Sequence, residues 1–201
     1  MEQTSATIGR TQIDLAGASF ARLGVDGPVP AAISAALLAN GGRIAPPDEP
    51  PRLLIVSYPL LPGGGEMEAP TWREIESAAA AMAPQGGRVI LLLSALAAVP
   101  MRRHVAYSAD MASAAVAMRG LAMQLGPHVL VNAVGCGVVT EAGSLLSGDD
   151  QMRGHQAIAG DGRIEDIVDA VLFLCDPLNS YTTGQLLTVD GGWSVGYGRN
   201  F

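Results

Sequence analysis

Two unbroken apolar runs, Val89–Leu93 and Val129–Val134, limit what this chain can fold into more than any other feature. Neither alternates polar with apolar residues, so each reads as a strand covered on both faces, as in a parallel sheet between helices. Ser94 ends the first run, and Tyr107 opens a helix extending to about Leu125. Strand, helix and strand in that order make one crossover unit of a parallel sheet.

Composition supports the same class. At 201 residues the chain suits one domain, 1–201, with a sizeable core, preceded by a polar extension over 1–17. Its 49% hydrophobic content, 25 glycines and few aromatics fit an Ala/Val/Leu-rich α/β protein better than an all-β one. A net charge of −7 argues against nucleic acid as a partner, because phosphate binding needs clustered Lys and Arg. Cys136 and Cys175 lack metal-like spacing and read as small buried hydrophobes, and no metal site is expected. No cationic start precedes an apolar run and no stretch is long enough to span a bilayer, so a cytoplasmic protein without membrane contact is expected.

Along the chain, Ser19–Leu23 reads as the first strand, and Gly24–Pro30 leads into a helix, Ala31–Asn40, closed by Gly41-Gly42. Asp26 is placed to cap that helix and to occupy its positive end. Arg43–Ala45 reads as a second strand and Leu53–Val56 as the next. If these are parallel neighbours but one, the link must cover a diagonal of roughly 20 Å. Its eight residues reach about 25 Å when extended, so the crossing requires a nearly straight strap with no helix. Ser57-Tyr58-Pro59-Leu60 and a glycine loop, Gly63–Gly65, follow. Thr71–Met82 reads as a helix, with Thr71 and Glu74 forming a capping box. His104 and His155 read as loop histidines, and His128 stands where the second buried strand begins.

From Arg88 to Trp193 the chain resembles the short-chain dehydrogenase/reductase family. The resemblance rests on Ser94 at a strand end, Tyr107 thirteen residues on, and the tail from Gly162 through Glu165–Cys175, Ser180–Gln185 and Leu186–Val189 to Asp190-Gly191-Gly192-Trp193. It implies a Rossmann-like, doubly wound parallel sheet. In the family a lysine stands four residues after the tyrosine, lowers its pKa and bonds the nicotinamide ribose; here that position is Met111. A free tyrosine titrates near ~10 and is a poor proton carrier at neutral pH. Asp110 adds a negative charge beside it. Losing one preorganised electrostatic partner typically costs ~3–4 kcal/mol of transition-state stabilisation.

Other departures point the same way. Aligned with the family's phosphate-binding turn, Gly24 falls on the first glycine while Pro28 and Pro30 fall on the other two. Proline has a ring where the pyrophosphate needs space, and no N–H. The stretch also reads simply as a proline-started helix, which again is no anion cradle. The helix, strand and helix expected between Arg43–Ala45 and Leu53–Val56 are missing, as is the asparagine segment carrying the family's fourth catalytic residue. The fold expected is therefore a truncated Rossmann-like α/β sheet lacking the third-strand unit. Thr140 lies near the family's nicotinamide-contacting threonine, and Glu141–Ala159 is a short form of the substrate-covering segment.

The helix after Tyr107 is apolar almost all round, which requires cover beyond its own sheet. In the family this helix and the one before it build a four-helix bundle with a partner. The resemblance thus implies a catalytically inactive subunit that binds no cofactor itself and supports a catalytic, NAD(P)-dependent paralogue. Contact is expected through helices 71–84 and 107–125 and the C-terminal helix and strand, 165–193. Ser94 and Tyr107 would then be vestigial, though suited to bonding one another or a ligand. Two alternatives stand beside this: a cofactor-independent enzyme using Ser94 and Tyr107, or a small-molecule binding protein reusing the same cleft.

Overall fold

The computed structural model describes residues 11–63 and 69–196; residues 1–10 of the extension, and Gly64 and Gly65 of the glycine loop, lie outside them. In chain order the elements are β1 (Ser19–Gly24), α1 (Pro28–Ala39), β2 (Arg43–Ile44), β3 (Leu53–Ser57), α2 (Trp72–Met82), β4 (Gly87–Ser94), α3 (Val105–Leu125), β5 (Val129–Cys136), β6 (Val139–Glu141), β7 (Ser144–Ser147), α4 (Ile164–Cys175) and β8 (Leu186–Val189). Six strands form one parallel sheet in the order β2-β1-β3-β4-β5-β8, and β6 and β7 make a separate antiparallel hairpin.

The apolar runs explain the layering. Alternate residues of a strand face opposite sides, so Leu53 and Ile55 pack with α1 and α4 on one face, while Leu54 and Val56 pack with α2 and α3 on the other. β4 and β5, covered on both sides, pair in register from Gly87–Val129 to Ser94–Cys136. β8 is anchored beside β5 by side chains. The Asn132 amide donates to Thr182 O (2.9 Å), and Asn132 Oδ1 accepts from Gln185 N (3.0 Å).

The third-strand unit is absent, as expected, but its replacement differs from a straight strap. β2 is only two residues long, and Phe20 of β1 pairs with both Ile44 and Leu53. The link therefore does not return along a strand; it crosses about two strand spacings, roughly 10 Å. That leaves slack for a turn, closed by Glu49 N to Pro46 O (3.1 Å) and pinned by an Arg43–Glu49 ion pair at 2.5 Å. Residues 11–17 are likewise held to the domain rather than detached. Ile13 N donates to Asn40 Oδ1 (2.7 Å), Thr11 N donates to Asp169 Oδ1 (2.8 Å), and Leu15 is buried.

Helix ends follow local chemistry. Thr71 and Glu74 form the expected capping box on α2. α3 starts at Val105 rather than Tyr107, because Ser108 N bonds His104 O (2.8 Å) and closes a turn earlier. α1 starts at Pro28, three residues before the expected Ala31, and Asp26 does not cap it. Gly27 is the N-cap, and the Asp26 carboxylate instead pairs with Arg22 at 2.9 Å.

Candidate functional site

The carboxyl ends of β1, β3, β4 and β5 converge on one edge of the sheet, where ligands of open α/β sheets bind. Ser94, the last residue of β4, is fully buried, and its hydroxyl accepts from Leu96 N (3.3 Å) to hold the turn after the strand. Tyr107 lies in the first turn of α3, half-buried. Its hydroxyl donates to Pro59 O at 2.6 Å, so the phenol is tied to the loop that follows β3. Burial pushes the Tyr107 pKa up, and a hydrogen bond with Ser94 pulls the other way without offsetting it. The two residues are brought together as their spacing predicts, but in surroundings that favour a neutral phenol.

Met111, one turn on from Tyr107, is 2% exposed and packs within the apolar cluster between α3 and the sheet. Nothing at this position supplies the positive charge that would favour phenolate.

The start of α1 faces the same edge. The first four N–H groups of a helix are its available anion donors. Here Pro28 and Pro30 remove two of them, and the Asp26 carboxylate stands on the rim. Gly24 remains a glycine for steric reasons: its φ is +96°, and a Cβ would lie 2.3 Å from Ser57 O. The residues present do not fit a dinucleotide. Donors are missing at the pyrophosphate, and a two-residue β2 followed by a proline turn stands where the adenosine side would be read.

Two cavities lie near this edge, and Pro59, the acceptor of the Tyr107 hydrogen bond, lines the first. One, of about 150 Å³, lies between the first turn of α1 and the Ser57–Leu61 segment and is closed on a third side by Leu145 and Leu146 of the hairpin. The other, of about 590 Å³, opens among Val99–Arg103, Gln151, His155 and Trp193. His155 is a loop residue, as read, and is half-buried in the wall of this cavity. His104 was read as an ordinary loop histidine, but its Nε2 lies 2.9 Å from Asp149 Oδ2 and links the approach to α3 with the segment after the hairpin. Burial raises the Asp149 pKa, but bonds from Gln151 N and His104 outweigh it and hold the carboxyl below its usual range. Sequence reading missed this pair, since the partners are far apart in the chain and neither stands in a motif.

Thr140 sits on β6, where its hydroxyl approaches Asp161 (3.4 Å). His128 immediately precedes β5, as read. Cys136 and Cys175 are fully buried, and burial pushes both thiols up to about 12, which suits packing and not nucleophilic chemistry. Among the described residues no cluster could hold a metal ion, and no helix is long and apolar enough to cross a membrane.

Comparison with known proteins fits this geometry. The family described as enoyl-(acyl carrier protein) reductase matches residues 71–194. 7alpha-Hydroxysteroid dehydrogenase of Escherichia coli (strain K12) is 35% identical over 117 residues, covering 55% of this chain and 46% of its own. Trans-4-hydroxycyclohexanecarboxylate dehydrogenase of Sinomonas cyclohexanicum is 30% identical over 123 residues, covering 61% and 47%. The chain spans about half the length of the curated relatives it matches. Among solved structures, a short-chain dehydrogenase/reductase from Serratia marcescens superposes with a TM-score of 0.58 at 28% identity, over 83% of this chain and 71% of that one. With the family match extending over more than half of the sequence and the parallel sheet in place, the chain belongs to the short-chain dehydrogenase/reductase family.

Proposed function

We propose that this chain is a catalytically inactive, cytoplasmic subunit that pairs with a catalytic short-chain dehydrogenase and supports its NAD(P)-dependent alcohol or ketone chemistry. One observation carries the reading: the outer face of α3 is unpartnered although it is small and apolar. Ala109, Ser113, Val116, Gly120 and Met123 are exposed at spacings of four and three, which puts them on one helix face. Val116 is 64% exposed and Met123 86%. Phe173 of α4 and Leu187 of the edge strand β8 add a second exposed apolar area. Apolar surface gathered in this way marks a docking face.

The cofactor side supports the inactive half of the proposal. Met111 at the lysine position, prolines at two helix-start donors and the Tyr107–Pro59 bond all work against hydride chemistry. NAD(P) is then held by the partner, while Ser94 holds the turn after β4 and Tyr107 positions the loop after β3.

Co-expression with a short-chain dehydrogenase encoded beside it, followed by mass measurement of the intact assembly, tests the reading. A hetero-oligomer containing both chains is expected, with dehydrogenase activity that disappears only when the partner's own tyrosine is replaced. A stable homo-oligomer that ignores the partner, or saturable NAD(H) binding to this chain alone, overturns it. The small cavity beside Ser57 favours a second reading, in which the altered cleft holds a different small molecule.

A further inference from the structure

Ser57 ends β3 at 3% exposure, and its hydroxyl has no hydrogen-bond partner among the described residues. Leu53 and Ile55 face α1, so strand alternation turns Ser57 the same way, toward the first turn of that helix and the cavity of about 150 Å³. A buried hydroxyl without a partner is costly, and such groups are retained where something else completes them.

The rest of the wall is apolar. Val29 and Pro30 stand on the α1 side, Tyr58 and Leu60 on the loop, and Leu146 on the hairpin. A cavity of about this volume in an apolar protein interior accepts benzene. On the rim the Asp26 carboxylate is already paired with Arg22, and the prolines of α1 remove two N–H donors, so this side offers little to hold an anion.

We infer that this cavity binds a small neutral molecule, a single ring bearing one hydroxyl, with the hydroxyl bonded to Ser57 Oγ and the ring among Val29, Tyr58, Leu60 and Leu146. The inference rests on the reading that the cleft does not take a dinucleotide, and it deepens that reading by assigning the vacated space. Because Pro59 lies in the same wall and accepts the Tyr107 hydrogen bond, occupancy is coupled to Tyr107 through one short loop.

The test uses the full chain, as its complex if it is obtained only with a partner, and three probes: phenol, benzene and NAD+. Binding is followed by amide chemical shifts in two-dimensional NMR, or by thermal shift if the assembly is large. Phenol is expected to bind in the millimolar range, about fivefold tighter than benzene, the worth of one hydrogen bond. Ser57→Ala should abolish that preference and leave benzene unchanged. It should not lower the melting temperature without ligand, because it removes an uncompensated group. Val29→Phe, which fills the space, should abolish binding of both.

Absence of phenol and benzene binding overturns the inference, and so does a phenol preference that survives Ser57→Ala; in the first case an ordered water is the partner of Ser57. If NAD+ is also silent, only this inference fails and the functional reading stands. Saturable NAD+ binding sinks both.

Discussion

β4 and β5 pair over eight residues in unbroken register, and every residue from Val89 to Ser94 is buried. β2, at the far edge of the same sheet, is two residues long, and both are exposed. The first pair carries the core under α3; the second lies where a nucleotide's adenosine end would be read. The difference shows which part of the architecture stability depends on. Without a third-strand unit the sheet ends on a short, exposed edge, while the central strands have two apolar faces. A sheet of this kind can lose a binding function at its rim without losing the fold, because binding groups stand at strand ends and the folding energy is in the middle.

The largest effect that could break this division concerns the outer face of α3. Replacing both Val116 and Met123 with Glu should weaken association with a catalytic partner by about a thousandfold or more, since two charges would be desolvated at the centre of an interface. The far-ultraviolet circular dichroism of the isolated chain should not change, as both residues are already exposed. Native mass spectrometry reads the outcome, and an undiminished heteromer would remove α3 from the interface.

Next in size is a pair that compares the two edges directly. Leu91→Ala empties a site with no solvent exposure in the middle of β4 and should cost about 3–4 kcal/mol. Ile44→Ala, at a residue 67% exposed in β2, should change stability by less than about 0.5 kcal/mol. Urea unfolding measures both. Equal losses would mean that the shortened edge supports the fold after all.

Met111→Lys is expected to cost about 3 kcal/mol, because an ammonium would enter an apolar cluster without a partner. It should not restore NADH binding, measured by fluorescence, since the prolines of α1 remain. A gain of binding from this one change would show that the cleft is intact apart from the lysine.

What the sequence disclosed, and what it hid, follows the range of the interactions concerned. Val89–Leu93 and Val129–Val134 were legible as buried strands because a fully covered strand needs no alternation. Thr71 and Glu74 gave the start of α2 because a capping box is a local bond. Ser94 and Tyr107 were legible as a pair only through their spacing in a known frame. The Tyr107 bond to Pro59 joins residues 48 apart, and the His104–Asp149 pair joins residues 45 apart. Neither leaves a periodic or local trace. The second strand was read one residue too long because Arg43-Ile44-Ala45 looks the same whether two or three residues join the ladder, and Ala45 N still bonds Phe20 O. Asp26 was misassigned because a carboxylate near a helix start suits a cap equally well, and Arg22, four residues earlier, drew it away.

The smallest effect bears on whether Tyr107 is a relic or a structural bond. Tyr107→Phe deletes the donor to Pro59 O and should cost about 1 kcal/mol at neutral pH. The pH dependence separates that bond from general packing. Burial raises the Tyr107 pKa above that of a free phenol, about 10. The folded state therefore keeps its proton where the unfolded chain has lost it. The contribution is fully present below pH ~10 and is lost as pH rises through the folded pKa. Tyr58, also raised by burial, adds a slope of the same sign that the variant retains. The gap between wild type and Tyr107→Phe should accordingly be constant from pH 7 to 9 and shrink above 10. If it widens instead, the phenolate is favoured in the folded chain, and Tyr107 is still poised for proton transfer.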